Sequence, residues 1–163
     1  MRVISGRYRG KKIQFLKSFI TRPLKDSVKE NIFNILMHSN KISVKIEGSN
    51  VLDLYSGVGS FGIECLSRNA GKVTFIEENY EIIKILRKNL NSLVADEKAI
   101  VLNEKVEKNL MCNKKEKFNI IFLDPPFADN KIISNLENIK KNKIFKDNHV
   151  VIIHREQNSR EKL

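Results

Sequence analysis

The chain has 163 residues, 41% of them hydrophobic, and carries 30 Lys and Arg against 19 Asp and Glu, for a formal net charge of +11. One domain with a single core suits that length, and the charge favours a polyanionic partner. No apolar run approaches the roughly 20 residues that span a bilayer and no signal sequence opens the chain, so a cytosolic protein is expected.

Residues 2–15 alternate in polarity around Gly6 and Gly10 and predict a short hairpin. Residues 27–37 place Val28, Ile32, Ile35 and Leu36 on one helical face, and residues 38–50 read as a polar linker. From there strand patterns at 51–55, 72–77, 99–103, 118–123 and 148–154 alternate with helical patterns at 60–69, 79–93, 105–111 and 130–141. That alternation predicts an α/β fold, a mainly parallel sheet with helices on both faces. Ligands of such sheets bind at the strand carboxyl ends, near the point where the winding reverses.

Two motifs fall at such ends. The strand Val51 to Tyr55 runs into Ser56-Gly57-Val58-Gly59-Ser60-Phe61-Gly62 and then a helix. A strand, a glycine turn and a helix amino terminus present backbone N–H groups to a nucleotide-like cofactor. Gly57, Gly59 and Gly62 match the dinucleotide spacing, and Glu77 ends the next strand where a ribose-binding acid would sit, so spacing leaves both NAD and S-adenosylmethionine open. Asp53 favours the latter, because a carboxylate before the glycines repels a pyrophosphate but attracts a methionine ammonium. No Gly-Lys-Ser/Thr follows, which excludes a phosphate-binding P-loop.

The second motif, Asp124-Pro125-Pro126-Phe127, follows the apolar run Phe118 to Leu123. It offers a carboxylate, a rigid turn of acceptor carbonyls without competing N–H donors, and a flat apolar platform. An exocyclic amine on a nucleobase fits that set. Cys65 and Cys112 are expected to be reduced, neither following a proline as a nucleophile for cytosine C5 would, and His38, His149 and His154 are too scattered to suggest a metal site.

With these motifs the chain resembles the bacterial RsmD-type enzymes, which methylate a guanine N2 of 16S ribosomal RNA. The specific part of the resemblance is Arg2-Val3-Ile4-Ser5-Gly6-Arg7-Tyr8-Arg9-Gly10-Lys11-Lys12, Thr21-Arg22-Pro23 and Asp26 to Leu36. It implies a Rossmann-like class I methyltransferase domain over 48–163, preceded by an RNA-docking hairpin and helix over 1–47. Asp124, Pro125, Pro126 and Phe127 would be catalytic, with Asp124 and the Pro125 carbonyl accepting from the amine and Phe127 stacking on the base. S-adenosylmethionine would meet Asp53, Tyr55, Ser56, Gly57, Gly59 and Ser60. Glu77 would take the ribose and Val106 would flank the adenine, with Thr21, Arg22 and Pro23 closing over the methionine end. Arg7, Arg9, Lys11, Lys12 and Arg22 would contact ribosomal RNA. Two departures stand out: Lys105 lies where an acidic or amide residue commonly meets the adenine amino group, and the usual hairpin after the fifth strand is missing, which suggests a truncated chain with an exposed edge at Val150 to His154. Other readings are a methyltransferase acting on adenine N6 in DNA or on a protein glutamine, an NAD-binding protein, and an RNA-binding module without catalysis.

Overall fold

The computed structural model describes residues 1–15, 24–93, 96–112, 116–126 and 131–155. Five strands, β1 Asn50–Leu54, β2 Lys72–Glu77, β3 Ala99–Asn103, β4 Phe118–Leu123 and β5 Phe145–Ile153, form one sheet in the order β3-β2-β1-β4-β5. Every pairing in it is parallel. The helices are α1 Asp26–His38, α2 Ser60–Ser67, α3 Tyr80–Ser92, α4 Val106–Cys112 and α5 Ile132–Lys141. The chain winds one way from β1 to β3 and then returns to β4 on the other side of β1, so the reversal lies between β1 and β4.

Successive strand side chains face opposite sides of a sheet, and this sorts the core into two layers. Val51, Val73, Phe75, Ile120 and Phe122 pack with Phe33 of α1, Phe61 of α2 and Leu86 of α3. Leu52, Leu54, Ile76, Ile121 and Leu123 pack instead with Val106 and Leu110 of α4 and Ile139 of α5. Stacked rings join α1 to the sheet through α2, with Phe33 and Phe61 centroids 5.2 Å apart and Phe61 and Phe122 4.0 Å apart.

The amino-terminal segment doubles back through one antiparallel bridge, Arg2 to Lys12, with Gly10 N donating to Val3 O and Val3 N to Lys11 O, each at 2.9 Å. Its Val3 and Ile13 are buried in the α1–α2–α3 layer, so the arm shares the core of the sheet. Residues 38–50, expected to be a polar linker, differ from that reading. Val44 and Ile46 are 4% and 7% exposed within the same layer, while Lys45 and Glu47 face out. The alternation of Ile42, Val44 and Ile46 is strand-like, but it is only three apolar residues long and charged residues flank it.

β5 also begins earlier than position 148. Phe118 pairs with Phe145, yet Ile120 pairs with Val150, an irregularity that sets Lys146 to His149 opposite Asn119 alone and interrupts the apolar pattern. Among the described residues β5 pairs with β4 alone, and Val150 to Ile153 are half-buried. Residues 156–163 lie outside the description.

Candidate active site at the strand carboxyl ends

Tyr55, just past β1, has φ 57°, a left-handed conformation that a bulky non-glycine residue adopts only when its surroundings hold it. Its hydroxyl accepts from Asn135 Nδ2 of α5 at 2.8 Å, and the next residue, Ser56, donates its N–H to Ile76 O at 3.0 Å. The glycine turn follows. Gly59 has φ 87°, and a Cβ there would lie 2.4 Å from Leu86 Cδ1. A Cβ on Gly62 would lie 2.3 Å from Phe75 Cε1, so this glycine lets α2 press on the sheet. Gly57 is different: φ is 54°, but a Cβ there would meet nothing within 4 Å. The turn therefore opens to a ligand at Gly57, beside the Ser56 Oγ, which is buried without a hydrogen-bond partner among the described residues. Both features fit an adenosyl cofactor carried on backbone and hydroxyl contacts.

Three carboxylates gather at the ends of adjacent strands. Asp53 is 1% exposed and its Oδ2 accepts from Gly62 N at 2.9 Å, which ties β1 to the first turn of α2. Glu77 accepts from Gly57 N through Oε2 at 3.0 Å and from Asn79 N through Oε1 at 2.9 Å, so it props the glycine turn while each oxygen retains a lone pair. Burial pushes the Asp53 carboxyl well above the usual range; the Gly62 N–H opposes this, and the negative charges of Asp124 and Glu77 push it further up. Burial likewise raises Glu77, against the N–H groups of Asn79 and Gly57. A cation arriving here would relieve that repulsion.

Asp124 follows the last residue of β4, with Pro125 buried and Pro126 exposed; Phe127, like Thr21, Arg22 and Pro23, lies outside the described residues. Asp124 Oδ1 stands 2.7 Å from Nδ1 of His154, whose backbone N–H donates to Leu123 O at 2.9 Å and so prolongs the β4–β5 pairing. The sequence reading missed this partner. Its signal was positional: a histidine closing one predicted strand beside the aspartate that closes another.

Of the remaining expected residues, Ser60 opens α2 and Val106 opens α4, where it is 4% exposed in the α4–α5 layer, while Lys105 is exposed. Arg7, Arg9, Lys11 and Lys12 are exposed. The arm lies along α2, held by buried polar groups. Glu64 accepts from Ile4 N (2.7 Å), Ser5 N (3.0 Å) and Arg68 Nε (2.9 Å), and lies 3.9 Å from Lys29 Nζ, which donates to Arg2 O at 2.7 Å. At the far end of the helix Arg7 N donates to Ser67 O at 2.7 Å, and Gly6 is obligatory because a Cβ would lie 2.0 Å from that oxygen. The arm tip thus stands one length of α2, about 12 Å for eight residues, from the glycine turn. Asn89 of α3 joins the two: its Oδ1 accepts from Gln14 N at 2.8 Å, and its Nδ2 donates to Gln14 O (3.0 Å) and to Val58 O (3.1 Å).

The whole chain, residues 1–163, matches the model of a family described as conserved hypothetical protein 95. It is 36% identical over 159 residues to ribosomal RNA small subunit methyltransferase D of Haemophilus influenzae, a match covering 96% of this chain and 79% of the relative. The chain belongs to the methyltransferase D family. The protein of that name from Escherichia coli K12 is 30% identical, covering 96% of this chain and 75% of its own. A candidate methylase of known structure from Haemophilus influenzae, 33% identical, superposes with a TM-score of 0.78 over 99% of this chain and 84% of that one. The architecture is the Rossmann-like class I methyltransferase fold that the methyltransferase D resemblance implied.

Proposed function

We propose that this chain transfers a methyl group from S-adenosylmethionine to the exocyclic N2 of a guanine in ribosomal RNA of the small subunit, in the cytoplasm. Family membership supports methyl transfer to ribosomal RNA. The observation that carries the finer reading is the convergence of the open glycine turn, the acids Asp53 and Glu77, and Asp124 with its proline turn, at the winding reversal. When bound, S-adenosylmethionine supplies an electrophilic methyl group on a cationic sulfonium. Glu77 offers its remaining lone pairs to the ribose hydroxyls, Ser56 and the open face at Gly57 border the adenosyl moiety, and Asp53 draws the methionine ammonium through water.

The guanine amine is a weak nucleophile because its lone pair is delocalised into the ring. Asp124 and the Pro125 carbonyl, accepting hydrogen bonds from it, favour the tetrahedral nitrogen of the transition state more than the planar one of the ground state. As the new N–C bond forms in exchange for the methyl–sulfur bond of the sulfonium, whose electron pair leaves with the neutral thioether, Asp124 would face the positive charge on nitrogen and hold the proton that leaves, before it passes to water. Phe127 stacks on the extruded base, and holding base and methyl donor in line supplies much of the rate.

The test is to incubate the protein with methyl-labelled S-adenosylmethionine and ribosomal RNA from cells lacking this gene, and to map the modified base. Label on guanine N2 is the expected result. Label on an adenine or on protein, or binding of NAD in place of S-adenosylmethionine, would overturn the reading.

A further inference from the structure

His154 closes the edge strand at the catalytic end of the sheet and reaches back 30 residues in sequence to Asp124. The two side chains are about a quarter exposed, so the contact forms at the lip of the cleft, partly shielded from water. At 2.7 Å an ionised carboxylate and a ring nitrogen must have a hydrogen between them, since two acceptors facing each other would repel. Nδ1 is therefore the protonated nitrogen when Asp124 is charged, and the imidazole donates. We propose that His154 is the positioning residue of Asp124, fixing Oδ1 so that Oδ2 faces the substrate amine, and that its protonation gates the methyl-transfer reaction.

The inference rests on the methyltransferase reading above. A neutral imidazole orients the carboxylate without cancelling its charge, which leaves Asp124 able to face the positive charge growing on the amine nitrogen. An imidazolium at the same place neutralises Asp124 and weakens that attraction. Among the described residues, other charged groups stand at this end. From β1 and β2 come Asp53 and Glu77, of which Asp53 feels the charge of Asp124, and just past β5 comes Arg155, next in the chain. The carboxylates favour protonation of His154 and Arg155 opposes it. Activity then falls as pH drops through the range where histidine titrates, roughly pH 5 to 8, and rises as the ring becomes neutral.

The experiment compares the full chain with His154→Ala and His154→Asn, using S-adenosylmethionine and ribosomal RNA lacking the modification, over about pH 5.5 to 9. Asn keeps a donor about where Nδ1 stands but cannot titrate. Ala should lower kcat by about ten- to a hundredfold with little change in KM for the cofactor, the scale of one hydrogen bond to a charged group. Asn should retain most of the high-pH kcat and lose the acidic limb of the profile. Equal thermal midpoints of the Asn variant and the parent separate this from a folding defect. An active parent matched by both variants in kcat and pH profile would overturn the role of His154 alone. A parent that transfers no methyl group to any ribosomal RNA would overturn the functional reading, and this one with it.

Discussion

Acids are treated in two opposite ways in this molecule. Along α2, Glu64 is buried against Lys29 and Arg68 and also accepts two arm N–H groups. At the strand ends, Asp53 and Glu77 accept only from backbone N–H groups, and among the described residues no lysine or arginine pairs with either. The first arrangement uses its charge to fix the arm, whereas the second leaves acids in the cleft without a countercharge, in a chain whose net charge is +11. On the proposed function, this arrangement would draw a polyanion to the exposed cations and keep it out of the acidic cleft, leaving the cleft to a cationic cofactor and an uncharged base.

The largest effect should come from unbalancing the paired acid. Glu64→Ala removes one of the two acids beside buried Lys29, leaving Asp26 at 3.6 Å, and strands Ile4 N, Ser5 N and Arg68 Nε, for a loss of about 3 to 5 kcal/mol in unfolding free energy. Urea titration checks this, and a midpoint equal to the parent would remove the clamp from the account. Next is Asp124→Ala, expected to lower kcat on the order of a hundred- to a thousandfold while affinity for S-adenosylmethionine holds. Single-turnover kinetics with cofactor calorimetry distinguish that outcome from a cofactor defect.

Glu77→Ala should reverse the pattern, weakening cofactor binding by about 1.5 to 3 kcal/mol because the ribose hydroxyls no longer meet a carboxylate. Unchanged calorimetric affinity would mean that Glu77 serves only to prop Gly57. The mildest change is expected when Arg7, Arg9 and Lys11 are replaced together: RNA affinity falls, cofactor affinity holds, and the slope of log K against log salt decreases by about 0.7 to 0.9 for each phosphate that the arm ceases to neutralise. A slope equal to that of the parent would mark these side chains as solvated surface.

Much of the cleft was legible in the sequence because each half of it is local. Gly57, Gly59 and Gly62 signal a close strand-to-helix turn whatever surrounds them, and Asp124-Pro125-Pro126 signals a rigid strand end. The strands Lys72–Glu77 and Phe118–Leu123 match the predicted ranges because uninterrupted apolar runs define them. What escaped depends on distant residues. His154 gains meaning only beside Asp124, and Lys29 and Glu64, which look like solvated charges in a helical pattern, are buried because helices α1 and α2 bring them under the arm. Val44 and Ile46 were hidden for the same reason, their alternation being too short to stand out until the sheet supplies the layer they enter. At β5 the inserted polar residues masked the first pairing of the strand, Phe145 with Phe118.

The position of Gly6 against Ser67 sets a scale for the substrate. With the arm tip pinned to one end of an eight-residue helix and the glycine turn at the other, the proposed function makes the molecule a ruler whose marks are about 12 Å apart. A free nucleoside can engage one mark only. On the proposed reading, an RNA whose backbone rests on the arm while its target base enters the cleft beside the glycine turn is held twice, the second contact being intramolecular, and recognition then grows with the length and fold of the RNA rather than with the target base alone.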